Sequence, residues 1–168
     1  MKRKIILFVF IVIAISSIWY LIQTKEPLDS DFSVTASELT DIEGNTFRLQ
    51  DFNGKILVLD FMSISCGSCR LQIPFYKQVQ DEYGEDVVII VIDINPHRSE
   101  DELKAFAQEF PYARWIWTRD TAGLSRSYQI IEIPTTIILD QKGTTRFIHV
   151  GIANAPQIIG NIERIRTK

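Results

Sequence analysis

The chain has 168 residues and a mass of 19.3 kDa, which is enough for one domain with a short extension. Its residues are 46% hydrophobic and 23% charged, an ordinary balance for a globular protein that excludes an intrinsically disordered chain. Three of the 18 basic residues are Lys2, Arg3 and Lys4, so the rest of the chain has 15 basic against 21 acidic residues. With this excess of acidic residues, the rest of the chain lacks the net positive charge typical of nucleic-acid-binding proteins, and no nucleic-acid partner is expected.

The first 22 residues have the composition of a membrane anchor. Residues 1–4 form a basic tip, and the 18 residues of 5–22 include no charged side chain. A helix of that length rises about 27 Å, close to the hydrocarbon thickness of a bilayer. Because basic residues stay on the cytoplasmic side, the pattern predicts a single-pass protein of the cell membrane with its N-terminus in the cytoplasm and its main domain outside. The alternative is a cleaved signal peptide, although no A-x-A-like site follows the apolar run.

A polar linker at 23–31 leads into one predicted domain at 32–168. Two short strand-like runs flank a turn at 41–45. Further strands are predicted at 56–62, 87–93, 135–140 and 145–150. Helices are predicted after Cys69 with Leu71, Tyr76, Val79 and Tyr83 on related faces, from a capping box of Ser99 and Glu102, and from about Ala155. This order of elements is typical of an α/β domain with a mixed sheet.

Both cysteines of the chain lie in the motif Cys66-Gly67-Ser68-Cys69, between a predicted strand and a predicted helix. A thiol at the N-terminus of a helix is favoured as the thiolate by unpaired N–H groups and by the helix dipole. The second cysteine is one helical turn further on, near enough to close a disulfide. The pattern therefore predicts a redox-active pair in which Cys66 attacks and Cys69 resolves the mixed disulfide.

Other uses of a C-x-x-C motif fit this sequence less well. A c-type haem site needs histidine directly after the second cysteine, and position 70 is Arg70. A zinc site needs four ligands, whereas His97 and His149 are 52 residues apart, so no metal is expected. An inert structural disulfide remains an alternative, although so small a loop removes little entropy from the unfolded chain.

Other segments accompany the cysteine motif. The motif follows V-L-D-F at 58–61, and I-P-T-T occurs at 133–136. Two further segments precede the motif, D-I-E-G-N at 41–45 and L-Q-D-F-N-G-K at 49–55. Together they resemble the thioredoxin superfamily and, within it, the TlpA/ResA-like membrane-anchored thiol–disulfide oxidoreductases. The resemblance covers roughly 32–168. It implies a thioredoxin fold with a mixed central sheet flanked by helices, an N-terminal strand pair and a central insertion.

The resemblance also implies a substrate-binding surface. Pro134 would be a cis proline that faces the cysteines, and the main chain of Ile133 would pair with a strand of the substrate. Gly67 and Ser68, between the two cysteines, would complete this surface. The alternative for Pro134 is an ordinary proline at the start of a strand.

The resemblance further assigns a role to Asp60, which falls where thioredoxin has a buried acid beneath the second cysteine. Burial would raise its pKa and let it take the proton from Cys69 during resolution. The alternative is an aspartate with a structural hydrogen bond. The sequence departs from the family at three positions, since Gln72 replaces the usual Glu, Ser65 the usual Trp and Ser68 the usual Pro. Gln72 cannot titrate, so any proton transfer depends on Asp60.

The apolar run and the cysteine motif predict a membrane-tethered, extracytoplasmic thiol–disulfide oxidoreductase. The resemblance implies that it reduces protein disulfides, for example in cytochrome c maturation. Its partners would be protein thiols and disulfides and a membrane electron donor, and it would need no cofactor beyond its own disulfide. One alternative is a peroxiredoxin-like peroxide reductase, which shares the fold but requires a P-x-x-x-T-x-x-C motif that this chain lacks. Another is a non-catalytic thioredoxin-fold binding module that uses the groove at Ile133 and Pro134.

Overall fold

The computed structural model describes residues 34–167 of the chain. The predicted anchor at 5–22 and the linker at 23–31 lie outside this range, so both stay predictions. Among the residues of 34–167, none of the helices is both long and apolar enough to cross a bilayer.

A short antiparallel hairpin precedes the main sheet. Its strands are β1 (Glu38–Thr40) and β2 (Thr46–Arg48). The turn between them is closed by the carboxylate of Asp41, which accepts the main-chain N–H groups of Glu43 and Asn45 at 2.9 Å each. This hairpin confirms the strand pair predicted on either side of 41–45.

A five-stranded mixed sheet forms the centre of the domain. Its strands are β3 (Ile56–Met62), β4 (Val87–Asp93), β5 (Ile116–Arg119), β6 (Thr135–Leu139) and β7 (Thr145–Val150). Their spatial order is β5-β4-β3-β6-β7. The first three strands are parallel, whereas β6 is antiparallel to β3 and β7 is antiparallel to β6. All seven residues of β3 are buried, as expected for an apolar strand in the middle of a sheet covered on both faces.

Helices cover the sheet on both faces. They are α1 (Gly67–Tyr83), α2 (Glu100–Gln108), the short α3 (Leu124–Ser127) and α4 (Ala155–Arg166). One core cluster contains apolar residues of α1, α2 and α4, and a second contains Leu124 of α3 with Leu39 and Leu49 of the hairpin region. The predicted capping box at the start of α2 is confirmed, because Glu102 N–H donates to the Ser99 hydroxyl and Ser99 N–H donates to the Glu102 carboxylate. Between β4 and β6 the chain forms α2, β5 and α3, in the region where the resemblance implies a central insertion.

Two details differ from the sequence-based expectations. Leu71 was expected to share a face of α1 with Tyr76, yet its side chain is 65% exposed while Tyr76 is fully buried. Five residues of a helix turn through about 500°, so positions 71 and 76 point roughly 140° apart. The strand predicted at 135–140 ends at Leu139, because Asp140 begins the following turn and accepts the N–H groups of Lys142 and Thr144.

Candidate functional site

Cys66 and Cys69 form a disulfide at the N-terminus of α1, with their Cα atoms 5.3 Å apart. Cys66 is the N-cap residue of the helix, and its Sγ accepts the main-chain N–H of Cys69 at 3.2 Å. The hydroxyl of Ser68 also lies 3.2 Å from this sulfur. Cys69 is completely buried, whereas Cys66 is partly exposed. The sulfur that a partner protein can reach is therefore that of Cys66, and the N–H of Cys69 donates to it where negative charge would develop.

The loop that carries the first cysteine is held by a buried acid from the neighbouring strand. Asp93 ends β4, beside the end of β3, and its carboxylate accepts the N–H groups of Ile64 at 3.3 Å and Asn95 at 2.8 Å. The Nε atom of Arg98 lies 3.6 Å from the same carboxylate. Sequence reasoning missed Asp93. The available signal was a charged residue that ends an apolar strand predicted to run beside the strand of the cysteines.

The peptide bond between Ile133 and Pro134 is cis, as predicted. Antiparallel pairing sets Thr135 opposite Phe61, so the beginning of β6 lies at the end of β3 that leads to the cysteines. Ile133 is half-buried and packs against the core cluster that contains Cys69. The fold thus brings the proline segment to the end of β3 that leads to the disulfide.

Apolar side chains are exposed on the segments that meet at this edge. Leu71, two residues after the second cysteine, is 65% exposed, and Ile131, just before the cis peptide bond, is 91% exposed. Ile152, in the loop between β7 and α4, is 40% exposed. Gly67 and Ser68 of the motif are exposed as well.

Asp60 lies in the middle of the apolar core, on β3, with no exposed surface. Its Oδ1 atom accepts a hydrogen bond of 2.9 Å from Nε2 of Gln72, while Oδ2 has no hydrogen-bond partner among residues 34–167. Burial raises the pKa of Asp60 from 3.8 to about 7, although the nearby Tyr76 hydroxyl and the Gln72 amide lower the pKa in part. A carboxyl group with this pKa changes its charge in the neutral range, where thiol–disulfide exchange takes place.

Gln72 links this acid to two other parts of the fold. Its Oε1 accepts the main-chain N–H of Ala153 at 2.7 Å, and its Nε2 lies 3.2 Å from Oγ1 of Thr136 and within hydrogen-bond distance of the Tyr76 hydroxyl. The hydroxyls of Tyr76 and Thr136 are 3.0 Å apart. The sequence predicted that Gln72 cannot titrate but revealed none of these contacts. A polar residue on the buried stripe of α1 was the only signal.

The side chains of the described range offer no metal centre. No group of three or more His, Cys, Asp and Glu within residues 34–167 could hold a metal ion. The residues of this site that can carry out chemistry are the two cysteines and the buried acid.

A model of the AhpC/TSA family matches residues 30–148, which is well over half of the chain. The chain belongs to this family. Among solved structures, the pneumococcal exposed lipoprotein thioredoxin Etrx1 of Streptococcus pneumoniae strain TIGR4 superimposes with a TM-score of 0.67 at 26% identity. That superposition covers 76% of this chain and 97% of the other. The expected thioredoxin fold is therefore confirmed.

Relatives in sequence point to the same class. The thioredoxin-like protein YneN of Bacillus subtilis (strain 168) is 32% identical over 114 residues, which are 67% of this chain and 66% of that protein. The match thus spans slightly less than two thirds of YneN. The thiol-disulfide oxidoreductase ResA of Geobacillus kaustophilus (strain HTA426) is 26% identical over 128 residues, 76% of this chain and 73% of ResA. The resemblance to this group of proteins is confirmed, and the Cys66–Cys69 pair forms a disulfide in a C-x-x-C motif.

In the reduced protein, iodoacetamide is expected to alkylate Cys66 well before Cys69, because only the first sulfur is reachable from solvent. Mass spectrometry of peptides after short labelling at pH 6 measures the two rates. In urea both cysteines should react at the same rate, which provides the control. Equal rates in the folded protein would contradict the assignment of attacking and resolving thiols.

Asp60→Asn is expected to remove a pH-dependent loss of stability from the oxidised protein. Folding raises the pKa of this carboxyl from its ordinary value of 3.8 to about 7, so between these two values the folded state keeps a proton that the unfolded state has released. Stability therefore falls as the pH rises from about 4 to about 7 and stays low above that range, a penalty on the order of 4 kcal/mol. The neutral asparagine carries no such penalty.

Urea unfolding of the oxidised wild type and the variant between pH 4 and pH 8 measures this effect. The difference in the free energy of unfolding should grow in favour of Asp60→Asn as the pH rises. Asp81→Asn, on an exposed part of α1, is the matched control for the substitution. A difference that stays constant with pH would show that Asp60 does not titrate as its burial requires.

Proposed function

We propose that this protein reduces disulfide bonds of extracytoplasmic proteins by thiol–disulfide exchange. The observation that carries the proposal is a reachable sulfur at a helix N-terminus, paired with a fully buried second sulfur. The Cys66 thiolate attacks one sulfur of the substrate disulfide, that bond breaks, and one substrate thiolate leaves. Cys69 then attacks Cys66, which forms the Cys66–Cys69 disulfide and releases the second substrate thiol. Two electrons pass from the enzyme to its substrate.

Asp60 is proposed to accept the proton of Cys69 in the second step. Both residues are fully buried, so water cannot readily take that proton. Gln72 is three residues after Cys69 on α1 and donates to Asp60, so the carboxyl group lies against the first turns of the helix that carries the resolving cysteine. A base with a pKa of about 7 can accept a proton at neutral pH and return it afterwards.

The substrate is proposed to bind as an extended segment along Ile133. Within residues 34–167, no backbone hydrogen bond uses the N–H or the carbonyl of Ile133. An extended peptide can satisfy both groups by adding a strand at this edge, with its cysteine directed to Cys66. Gly67 and Ser68 and the exposed side chains of Leu71 and Ile131 lie on the neighbouring segments and support a protein substrate rather than a small molecule.

The direction of electron flow and the cellular setting are part of the proposal. The resemblance to the ResA-like family supports a reductant that receives electrons from a membrane donor and acts, for example, in cytochrome c maturation. The uncharged run at 5–22 and the basic tip at 1–4 support a membrane tether with the catalytic domain outside the cell membrane.

Peroxide reduction is the second candidate, because the family that matches this chain is AhpC/TSA. In a P-x-x-x-T-x-x-C motif that ends at Cys66, Leu59 and Ser63 occupy the places of the proline and the threonine. The buried resolving thiol one helical turn away favours exchange with disulfides instead. Turnover of hydrogen peroxide at a rate above that with protein disulfides would favour the second candidate.

Cys69→Ser in the full-length chain is expected to trap substrates as mixed disulfides on Cys66, because the resolving thiol is absent. Mass spectrometry of the variant purified from membranes, without reductant, identifies the adducts. Cys66→Ala is the matched control and should carry none. Absence of adducts from Cys69→Ser, with an active wild type, would refute the exchange mechanism. Unchanged cellular function of Cys66→Ala would instead support a non-catalytic binding module.

The full-length chain is expected to stay in the membrane fraction after alkaline extraction, and protease added to spheroplasts should digest its C-terminal domain. An apolar span holds the chain in the bilayer, and the basic tip keeps the N-terminus in the cytoplasm. A cytoplasmic marker that survives the protease is the control. A soluble product whose N-terminus lies beyond residue 22 would indicate a cleaved signal peptide, and an uncleaved, protease-protected domain would contradict the orientation.

A further inference from the structure

The orientation of the Gln72 amide is determined by a main-chain group. The N–H of Ala153 can only donate, and it lies 2.7 Å from one end of the amide. That end must be the carbonyl oxygen, because an NH₂ group there would face another donor. The NH₂ end therefore points into the core, towards Asp60 and the hydroxyls of Tyr76 and Thr136.

The two hydrogens of the Gln72 amide determine which oxygen of Asp60 accepts a hydrogen bond and which can carry a proton. The NH₂ group has two hydrogens, and its nitrogen accepts none. One hydrogen is directed at Oδ1 of Asp60, 2.9 Å away, and the other at the hydroxyls of Tyr76 and Thr136. Oδ1 must consequently accept from Gln72 whether the carboxyl group is charged or neutral. Because a carbonyl-type oxygen is a better acceptor than a protonated one, a proton on Asp60 is favoured on Oδ2, the buried oxygen that has no partner among the described residues.

We propose that Gln72 is a positioning residue of the exchange reaction, which keeps Oδ1 of Asp60 occupied and reserves Oδ2 as the atom that exchanges a proton with Cys69. This inference rests on the proposed role of Asp60 as the proton acceptor. Gln72 itself neither gains nor loses a proton. Its function is to hold the carboxyl group between α1 and the main chain of Ala153 in one orientation, so that the acceptor atom is the same in every turnover.

Two neutral groups lower the pKa of Asp60 against the effect of burial, the Tyr76 hydroxyl and the Gln72 amide. From α1, the Tyr76 hydroxyl is the titratable group nearby, and burial raises its pKa well above the ordinary value, so it stays protonated. From β6, Thr136 faces the same network and does not titrate. From β4, the residue paired with Asp60 is the apolar Val91. His149, opposite Thr136 on β7, makes its hydrogen bond to the carbonyl of Ile152.

Loss of the hydrogen bond from Gln72 is expected to raise the pKa of Asp60. A hydrogen bond from Gln72 favours the charged form of Asp60 and so lowers its pKa against the effect of burial. Gln72→Met has a similar size and no donor, so the pKa of Asp60 should rise further and the carboxyl group should become available as a base only at higher pH. Gln72→Glu can still accept from Ala153 with one oxygen, but its second oxygen and Asp60 then share protons, so the titration should divide into two coupled steps.

The experiment measures the rate at which reduced full-length protein is oxidised by oxidised glutathione between pH 5 and pH 9. The variants are Gln72→Met, Gln72→Glu, Asp60→Asn and the double variant Asp60→Asn with Gln72→Met. Gln78→Met, at an exposed position of α1, is the matched control. Protonation of Asp60 is followed directly by NMR of protein with ¹³C-labelled aspartate carboxyl groups.

The wild type and Gln78→Met should show a rise in rate centred near pH 7. Gln72→Met should shift both this centre and the Asp60 carboxyl titration upwards by about one pH unit, equal to a roughly tenfold loss of rate below the centre. Asp60→Asn should lack the step, and adding Gln72→Met to it should leave the profile unchanged, because the two residues act through one carboxyl group.

The outcomes distinguish failure of the proposed role of Asp60 from failure of the inferred role of Gln72. An Asp60→Asn protein with the wild-type profile would refute the proposed role of Asp60 and this inference with it. If Asp60→Asn lacks the step but Gln72→Met keeps the wild-type centre and carboxyl titration, Gln72 is only structural and the proposed function stands. Should Gln72→Met fail to fold, Gln72→Glu decides the question, since a single unchanged Asp60 titration in that variant would also overturn the inference.

Discussion

Strand β3 is buried along its whole length, and the chain passes from it through a three-residue loop and Cys66 into α1. A one-residue shift in the register of this strand would move Asp60 to the opposite face of the sheet, away from its hydrogen bond with Gln72. The position at which the chain leaves the sheet is therefore held firmly, and with it the N-terminus of the helix. Cys66 caps this helix, so its sulfur accepts the main-chain N–H of Cys69. The antiparallel partner β6 brings Pro134 to the same edge, and the parallel partner β4 supplies the carboxylate that holds the loop.

A polar cluster in the apolar core is the second feature on which the site depends. Burying Asp60, Gln72, Tyr76 and Thr136 is unfavourable unless their hydrogen-bonding groups are satisfied, and nearly all of them are satisfied by one another or by Ala153. The exception is Oδ2 of Asp60. One unpaired carboxylate oxygen in an otherwise satisfied network is hard to explain as a stabilising feature. In the proposed mechanism, this oxygen is the atom that receives a proton during each cycle.

The departures from the family motif act on the same few atoms. Ser68 replaces the usual proline and adds a hydroxyl 3.2 Å from the Cys66 sulfur, and Gln72 replaces the usual acid with an amide that cannot titrate. A shift of 30 mV in the potential of a two-electron couple corresponds to about 1.4 kcal/mol, which is close to the contribution of one hydrogen bond. Membership of the family therefore transfers the fold to this chain, while its reduction potential depends on its own side chains.

The sequence by itself determined the features that depend on neighbours along the chain. Apolar runs predicted β3 and β4 at their observed bounds, the spacing of Ser99 and Glu102 predicted a capping box, and the position of C-x-x-C predicted a thiol at a helix end. These features are local, since periodicity and caps involve residues within one or two turns. The cis proline and the buried acid were predicted by resemblance.

Only the tertiary structure decided the contacts between segments that are far apart in the sequence. Gln72 meets Ala153 across 81 positions, and Asp93 meets Ile64 across 29. No local pattern encodes such pairs, because they depend on how β4, β6 and the loop before α4 pack around the end of β3. The same reason explains why Leu71 lies on the surface, since the direction of the buried face of α1 is set by the sheet beneath it.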